Sequence, residues 1–122
     1  MSGTKAVAIV DDDESILDST AGFLESMGYA TWAFSSGEAF LRFDRKAEIG
    51  CLLTDVNMPG LDGLELQTIV RREHPGLPVI FMTALTDETL RRRALAGGAR
   101  ELLRKPVTAT DLIRCLEETL AK

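Results

Sequence analysis

The residues of this sequence best suited to chemistry stand directly after short apolar runs. Asp11, Asp12 and Asp13 follow residues 5–10, Asp55 follows 51–54, Thr83 follows 77–82, and Lys105 follows 101–104. Two carboxylates about 4 Å apart repel by about 1 kcal/mol in water and about 4 kcal/mol at an effective dielectric of 20. If the fold gathers these acids on one rim, Lys105 balances only one of them, and a divalent cation would offset the rest. An all-oxygen ligand set with few protein contacts suits Mg2+, which keeps several waters and prefers to share its site with a phosphate. His74, Cys51 and Cys115 stand away from these positions, so the residues do not read as a zinc site. A carboxylate beside magnesium, a lysine and a hydroxyl supplies what phosphoryl transfer requires. It is a nucleophile with charge stabilisation around the group in transit.

Each residue also has a plainer reading. The run Asp11-Asp12-Asp13-Glu14 could cap a helix and complement its dipole. Asp55 could open an Asx turn ahead of Pro59. Thr83 could belong to the cap of the next helix, and Lys105 could be a solvated surface lysine. These readings account for the residues singly and leave their shared placement after strand ends unexplained.

The elements that must position them follow from hydrophobic spacing. Residues 5–10 form a nearly continuous apolar run, as a strand buried on both faces requires. Ile16, Leu17, Thr20, Phe23, Leu24 and Met27 recur at helical spacing over 14–27, and Gly28 stands where a C-terminal cap belongs. Residues 29–34 read as a second strand. Ser35-Ser36-Gly37-Glu38 starts a helix through Phe43, and 51–54 form a third strand ending on Asp55. Pro59 and Gly60 make a loop of 57–60; helix then spans 64–73 and stops at His74-Pro75-Gly76. A fourth strand over 77–82 keeps its proline near the start, where it does least harm. Helix over 87–96, a fifth strand over 101–104 and a final helix from about 110 to 120 complete the chain. Strands alternating with helices predict an α/β fold, a parallel sheet of five strands covered by five helices on both faces. In such a sheet ligands bind beyond the carboxyl ends of the strands. Asp11, Asp12, Asp55, Thr83 and Lys105 all fall on that rim.

Composition narrows the function classes. A length of 122 residues, with no repeat or internal linker, predicts one domain over 1–122. The formal net charge of −5 opposes direct contact with a phosphate backbone, so nucleic-acid binding by this segment is not expected. No apolar run approaches the roughly 20 residues of a membrane span, and no membrane partner is expected. Cys51 and Cys115 lie in apolar surroundings without framework spacing, which predicts two buried, reduced thiols and a cytoplasmic location. Trp32 and the phenylalanines read as core or strand-face residues. Arg91-Arg92-Arg93 reads as a solvated helix face.

Val10-Asp11-Asp12-Asp13, the run from Asp55-Val56-Asn57-Met58-Pro59-Gly60 to Leu61-Asp62-Gly63, Phe81-Met82-Thr83-Ala84, and Lys105-Pro106 together resemble the receiver domain of bacterial two-component response regulators. The resemblance spans essentially the whole chain, with the four motifs in order. The strand Cys51-Leu52-Leu53-Thr54-Asp55 and the helix start Gly63-Leu64-Glu65-Leu66-Gln67 further resemble the FixJ-type branch. This implies a doubly wound, flavodoxin-like (CheY-like) sheet in the order 2-1-3-4-5, and a signalling module rather than an enzyme. It implies that Asp55 is the phosphoacceptor, served by a sensor histidine kinase or a phosphotransfer protein. Asp12 would ligate Mg2+ directly, Asp11 through water, and Asn57 through its backbone carbonyl. Thr83 would hydrogen-bond the phosphoryl group, Lys105 would pair with it, and the Lys105–Pro106 peptide would be cis. Asn57 and Leu85 fall where the family tunes the lifetime of the phosphoryl group. The resemblance also implies a homodimer on phosphorylation through the fourth helix, fifth strand and fifth helix, and an output domain or downstream protein.

The sequence departs from the family pattern at Leu102, where receivers usually carry Tyr or Phe three residues before the lysine. That puts the aromatic half of the switch in question and leaves the chemistry untouched. Three rivals remain. A haloacid-dehalogenase-like phosphatase would use Asp11 as nucleophile and Asp13 as general acid, but leaves Asp55 and its loop without a role. A histidine phosphotransfer module is all-helical, against the strand–helix alternation. A pseudo-receiver would bind partners without phosphorylation, against the intact Asp12, Asp55, Thr83 and Lys105.

Overall fold

All five residues of the first strand, Ala-Val-Ala-Ile-Val, are apolar and buried, so the strand needs cover on both sides. The computed structural model describes residues 5–84 and 87–120. Its elements in chain order are β1 (Ala6–Val10), α1 (Glu14–Ser26), β2 (Thr31–Phe34), α2 (Gly37–Arg42), a 3-10 turn (Lys46–Glu48), β3 (Ile49–Asp55), α3 (Gly63–Glu73), β4 (Val79–Thr83), α4 (Glu88–Ala96), β5 (Glu101–Arg104) and α5 (Ala109–Leu120). The strands form one parallel sheet in the order β2-β1-β3-β4-β5, as the resemblance implied.

Alternation along β1 divides the core. Ala6, Ala8 and Val10 pack with Phe40 of α2, Leu66 and Val70 of α3, and Leu90 and Ala94 of α4. Val7 and Ile9 face the other way, onto Leu17 and Leu24 of α1 and Leu112, Cys115 and Leu116 of α5. Helices therefore cover both faces, with α2, α3 and α4 on one and α1 and α5 on the other.

Three boundaries differ from expectation. Tyr29 donates its N–H to the Leu24 carbonyl at 3.0 Å, next to Gly28 at φ +93°, so it closes the end of α1 and β2 begins at Thr31. Leu77 donates to the His74 carbonyl in a turn, and Pro78 has no N–H to give, so β4 begins at Val79 and runs through Thr83. The third strand starts earlier, at Ile49, directly out of the 3-10 turn. Leu85 lies outside the described residues. Among those described, no helix is long and apolar enough to cross a membrane.

Candidate functional site

Parallel register builds the site. Val10 pairs with Thr54 across β1 and β3, so the next residues, Asp11 and Asp55, leave the sheet side by side. Asp55 is the last residue of β3 and sits opposite Met82, and Thr83 ends β4 opposite Arg104. The Lys105 N–H donates to the Thr83 carbonyl at 2.8 Å, which brings the lysine back over the same rim. The Lys105–Pro106 peptide is cis, as the resemblance implied.

Lys105 Nζ donates to Asp11 Oδ2 at 3.0 Å and to Asp55 Oδ2 at 3.2 Å. The remaining oxygens are occupied by backbone: Asp11 Oδ1 accepts from the Asp13 N–H at 2.9 Å, and Asp55 Oδ1 from the Val56 N–H at 2.7 Å. Asp11 is fully buried and Asp55 half-buried, whereas Asp12 is exposed at the mouth. Carboxylate oxygens of Asp11, Asp12 and Asp55 all lie within 4.8 Å of one another. Three negative charges against one lysine leave a surplus that suits a divalent cation, and an all-oxygen set open to water on the Asp12 side suits magnesium.

The electrostatics agree with that count. Burial pushes the Asp55 carboxyl above its ordinary range and the Asp11 charge adds to it, outweighing the opposite pull of Lys105. Burial alone would lower Lys105, but its bonds to Asp11 and Asp55 hold it above its usual value.

The other expected residues are distributed as follows. Thr83 is buried at the end of β4, beside the rim. Asn57 is exposed at the start of the loop, and the next residue, Met58, anchors that loop in the core. Leu102 is half-buried in β5 and packs on the cluster beneath α2, α3 and α4. Asp13 caps α1: its Oδ1 accepts from the Ser15 hydroxyl at 2.8 Å and from the N–H groups of Ser15 and Ile16 at 3.0 and 3.3 Å. Those bonds, led by Ser15, hold its carboxyl below the usual range, which is the wrong direction for the general acid of a phosphatase. His74 caps the end of α3. Cys51 and Cys115 are buried and unbridged, and burial raises their thiols to about 12 and about 11.

Two features escaped the reading of the residues. A Cβ on Gly63 would lie 2.3 Å from the Asp55 carbonyl oxygen and 2.8 Å from Val56 Cα, so only glycine lets α3 start against the end of β3. The Gly63 N–H donates to the Val56 carbonyl at 2.7 Å, and the Asp62–Glu65 capping box fixes the same turn. The box is visible in sequence as Asp-x-x-Glu; the close approach is not. The second feature is a cavity of about 640 Å³ between α1 and α5 that opens beside Lys105, with Ile16, Phe23, Met82, Val107 and Leu112 among its walls.

Residues 7–117 match the family described as the response regulator receiver domain. The chain is similar to the transcriptional regulatory protein FixJ of Azorhizobium caulinodans, at 35% identity over 116 residues, covering 95% of this chain and 55% of that protein. Among solved structures it is similar to FixJ-N, with 33% identity, a TM-score of 0.87, and coverage of 98% of this chain and 94% of that one. It is also similar to the chemotaxis protein CheY4 of Vibrio cholerae, with 28% identity, a TM-score of 0.89, and coverage of 97% and 100%. The chain spans about half the length of the curated relatives it matches.

Proposed function

This chain belongs to the response regulator receiver domain family, a non-enzymatic signalling module partnered by histidine kinases, and from that premise we propose that Asp55 is its phosphoacceptor. The observation that carries the reading is the position of the Asp55 carboxylate, shared between Lys105 and the Asp11–Asp12 pair at the end of the central strand. Beside it, the exposed Asp12 opens the rim to an incoming group.

An Asp55 oxygen attacks the phosphorus of a phosphohistidine on the kinase or a phosphotransfer protein; the P–O bond forms as the P–N bond breaks, and the imidazole leaves. The apolar walls of the cavity beside Lys105 offer contact for that donor. Asp12 and Asp55 would hold Mg2+ directly, Asp11 through water, and Asn57 through its backbone carbonyl; the ion, when bound, neutralises charge on the phosphoryl oxygens. Lys105 exchanges its bond to the Asp55 carboxylate for one to the phosphoryl group. Thr83 donates its hydroxyl to the same group, and its inward shift is passed to α4. Leu102 lacks a ring to follow Thr83, so the relay runs through Thr83 and α4 without an aromatic flip. The exposed Arg91, Arg92, Arg93 and Leu95 on α4 belong to the face, with β5 and α5, through which phosphorylation drives homodimerisation or docking of an output domain or downstream protein.

The alternatives lose their residues to structural duties. Asp13 is committed to the α1 cap, which removes the general acid of a phosphatase. A pseudo-receiver has no use for a charge-strained carboxylate paired to Lys105.

Incubation with acetyl phosphate and Mg2+ should introduce an acid-stable, base-labile phosphate, abolished by chelation and by Asp55→Asn. Label that survives Asp55→Asn would favour the phosphatase, and no label with any donor would favour the pseudo-receiver.

A further inference from the structure

The loop between β3 and α3 displays Asn57, and it is held from outside by one charged side chain. Glu38, in the first turn of α2, accepts the Leu61 N–H on Oε2 at 3.1 Å, across 23 residues of sequence. Gly60 stands at φ +72°, and a Cβ there would lie 2.9 Å from the same Glu38 oxygen. The backbone of α2 reaches the loop as well: a Cβ on Gly37 would lie 3.1 Å from Leu61 Cδ2. Glu38 is well placed to hold this position. Ser36 Oγ caps α2 by accepting the Ala39 N–H at 3.0 Å, and the fully buried Phe40 roots the helix in the core. The loop is thus tied to the fold at Met58, at Leu61, and by the Gly63–Val56 bond where it enters α3.

Glu38 lies outside the Asp11–Asp12–Asp55 cluster, so its carboxylate is not needed to complete that set. Its bond is instead made to Leu61, in the same β3–α3 loop that carries Asn57. We propose that Glu38 is a positioning residue for the phosphoacceptor loop, clamping Gly60 and Leu61 so that Asn57 presents its carbonyl to the cation held by Asp12 and Asp55. The inference rests on the magnesium-dependent reading of the Asp55 site.

Calorimetric Mg2+ titration of the parent, Glu38→Ala and Glu38→Gln, with amide hydrogen exchange at Leu61, tests it. Glu38→Ala should weaken Mg2+ binding about tenfold, the lower end of what loss of a ligand-orienting partner costs, and should speed Leu61 exchange. Glu38→Gln keeps an oxygen acceptor without the charge, and should bind Mg2+ close to the parent with Leu61 still protected. Unchanged affinity in Glu38→Ala would overturn the proposal. So would Glu38→Gln failing as fully as Glu38→Ala, because that pattern reports lost charge rather than lost position. A parent that binds no Mg2+ would overturn the reading of the site and this inference together, and is told apart because the defect appears without any substitution.

Discussion

Burial and the Asp11 charge push the Asp55 carboxyl above its ordinary value of 3.8, against the pull of Lys105. The sign of the linked stability follows from that direction. A carboxyl raised on folding favours the native state most below 3.8, and that contribution is lost as pH rises through the native value. At neutral pH, without a cation, ionised Asp55 is therefore a net cost to the fold. Asp55→Asn should melt higher than the parent at pH 7 in chelator, and the gap should close as pH falls through the raised native value and be gone by 3.8. Thermal melts across that range decide it; an asparagine variant less stable at pH 7 would mean that the Lys105 pairing outweighs burial. The same arrangement suits the nucleophilic role proposed for Asp55. In the proposed role, an incoming phosphoryl group and cation would relieve the cost of holding a carboxylate in this partly desolvated site. The place of Asp55 on the rim was legible in sequence because it depends on residue types after strand ends. The direction of its shift was not, since that depends on which neighbour lies closest.

At the scale of elements, α4 is the helix that the proposed switch must move, and its two ends are held differently. Its N-terminus is capped by its own Asp87, whose Oδ1 accepts the Thr89 N–H at 2.9 Å. Its C-terminus is tied to α3: Gln67 Nε2 donates to the Ala94 carbonyl at 2.8 Å, and Arg71 Nη1 to the Ala96 carbonyl at 3.3 Å. These bonds satisfy carbonyls that a helix end leaves without intrahelical partners. Gly97 makes room for the tie, because a Cβ there would lie 2.6 Å from Gln67 Oε1. Gly97→Ala should cost about 1–3 kcal/mol in urea unfolding, the usual range for overpacking. In a Gln67→Ala background the same change should cost much less; full additivity would show that the two residues are not coupled. Periodicity located every helix and strand, because the apolar stripes are regular. It misplaced the starts of β2 and β4, where turn bonds by Tyr29 and Leu77 compete with the ladder. It also passed over the short 3-10 turn at Lys46–Glu48, which has no apolar repeat to announce it.

Across the whole molecule, the convergence of Asp11, Asp55, Thr83 and Lys105 follows from a parallel sheet whose carboxyl ends share one rim. That much of the site could be read from spacing. The contacts that tune it could not: Gly63 against Asp55, Glu38 against Leu61 and Gln67 against Gly97 join residues that no local pattern links. With three carboxylates gathered at the site against one lysine, the domain should be stabilised by Mg2+ through linkage. At a concentration a hundred times the dissociation constant this amounts to about 2.7 kcal/mol. Chelation should then lower the melting temperature by several degrees in the parent and by far less in Asp12→Ala; equal shifts would place the ion elsewhere. The central claim, however, concerns one atom group. Borohydride reduces an aspartyl phosphate to homoserine, so sequencing by mass spectrometry after incubation with acetyl phosphate and Mg2+ reads the acceptor directly. Homoserine at position 55, and only with donor and magnesium both present, is the predicted result. Homoserine at position 11 instead, or none at all from protein that binds Mg2+, would contradict it.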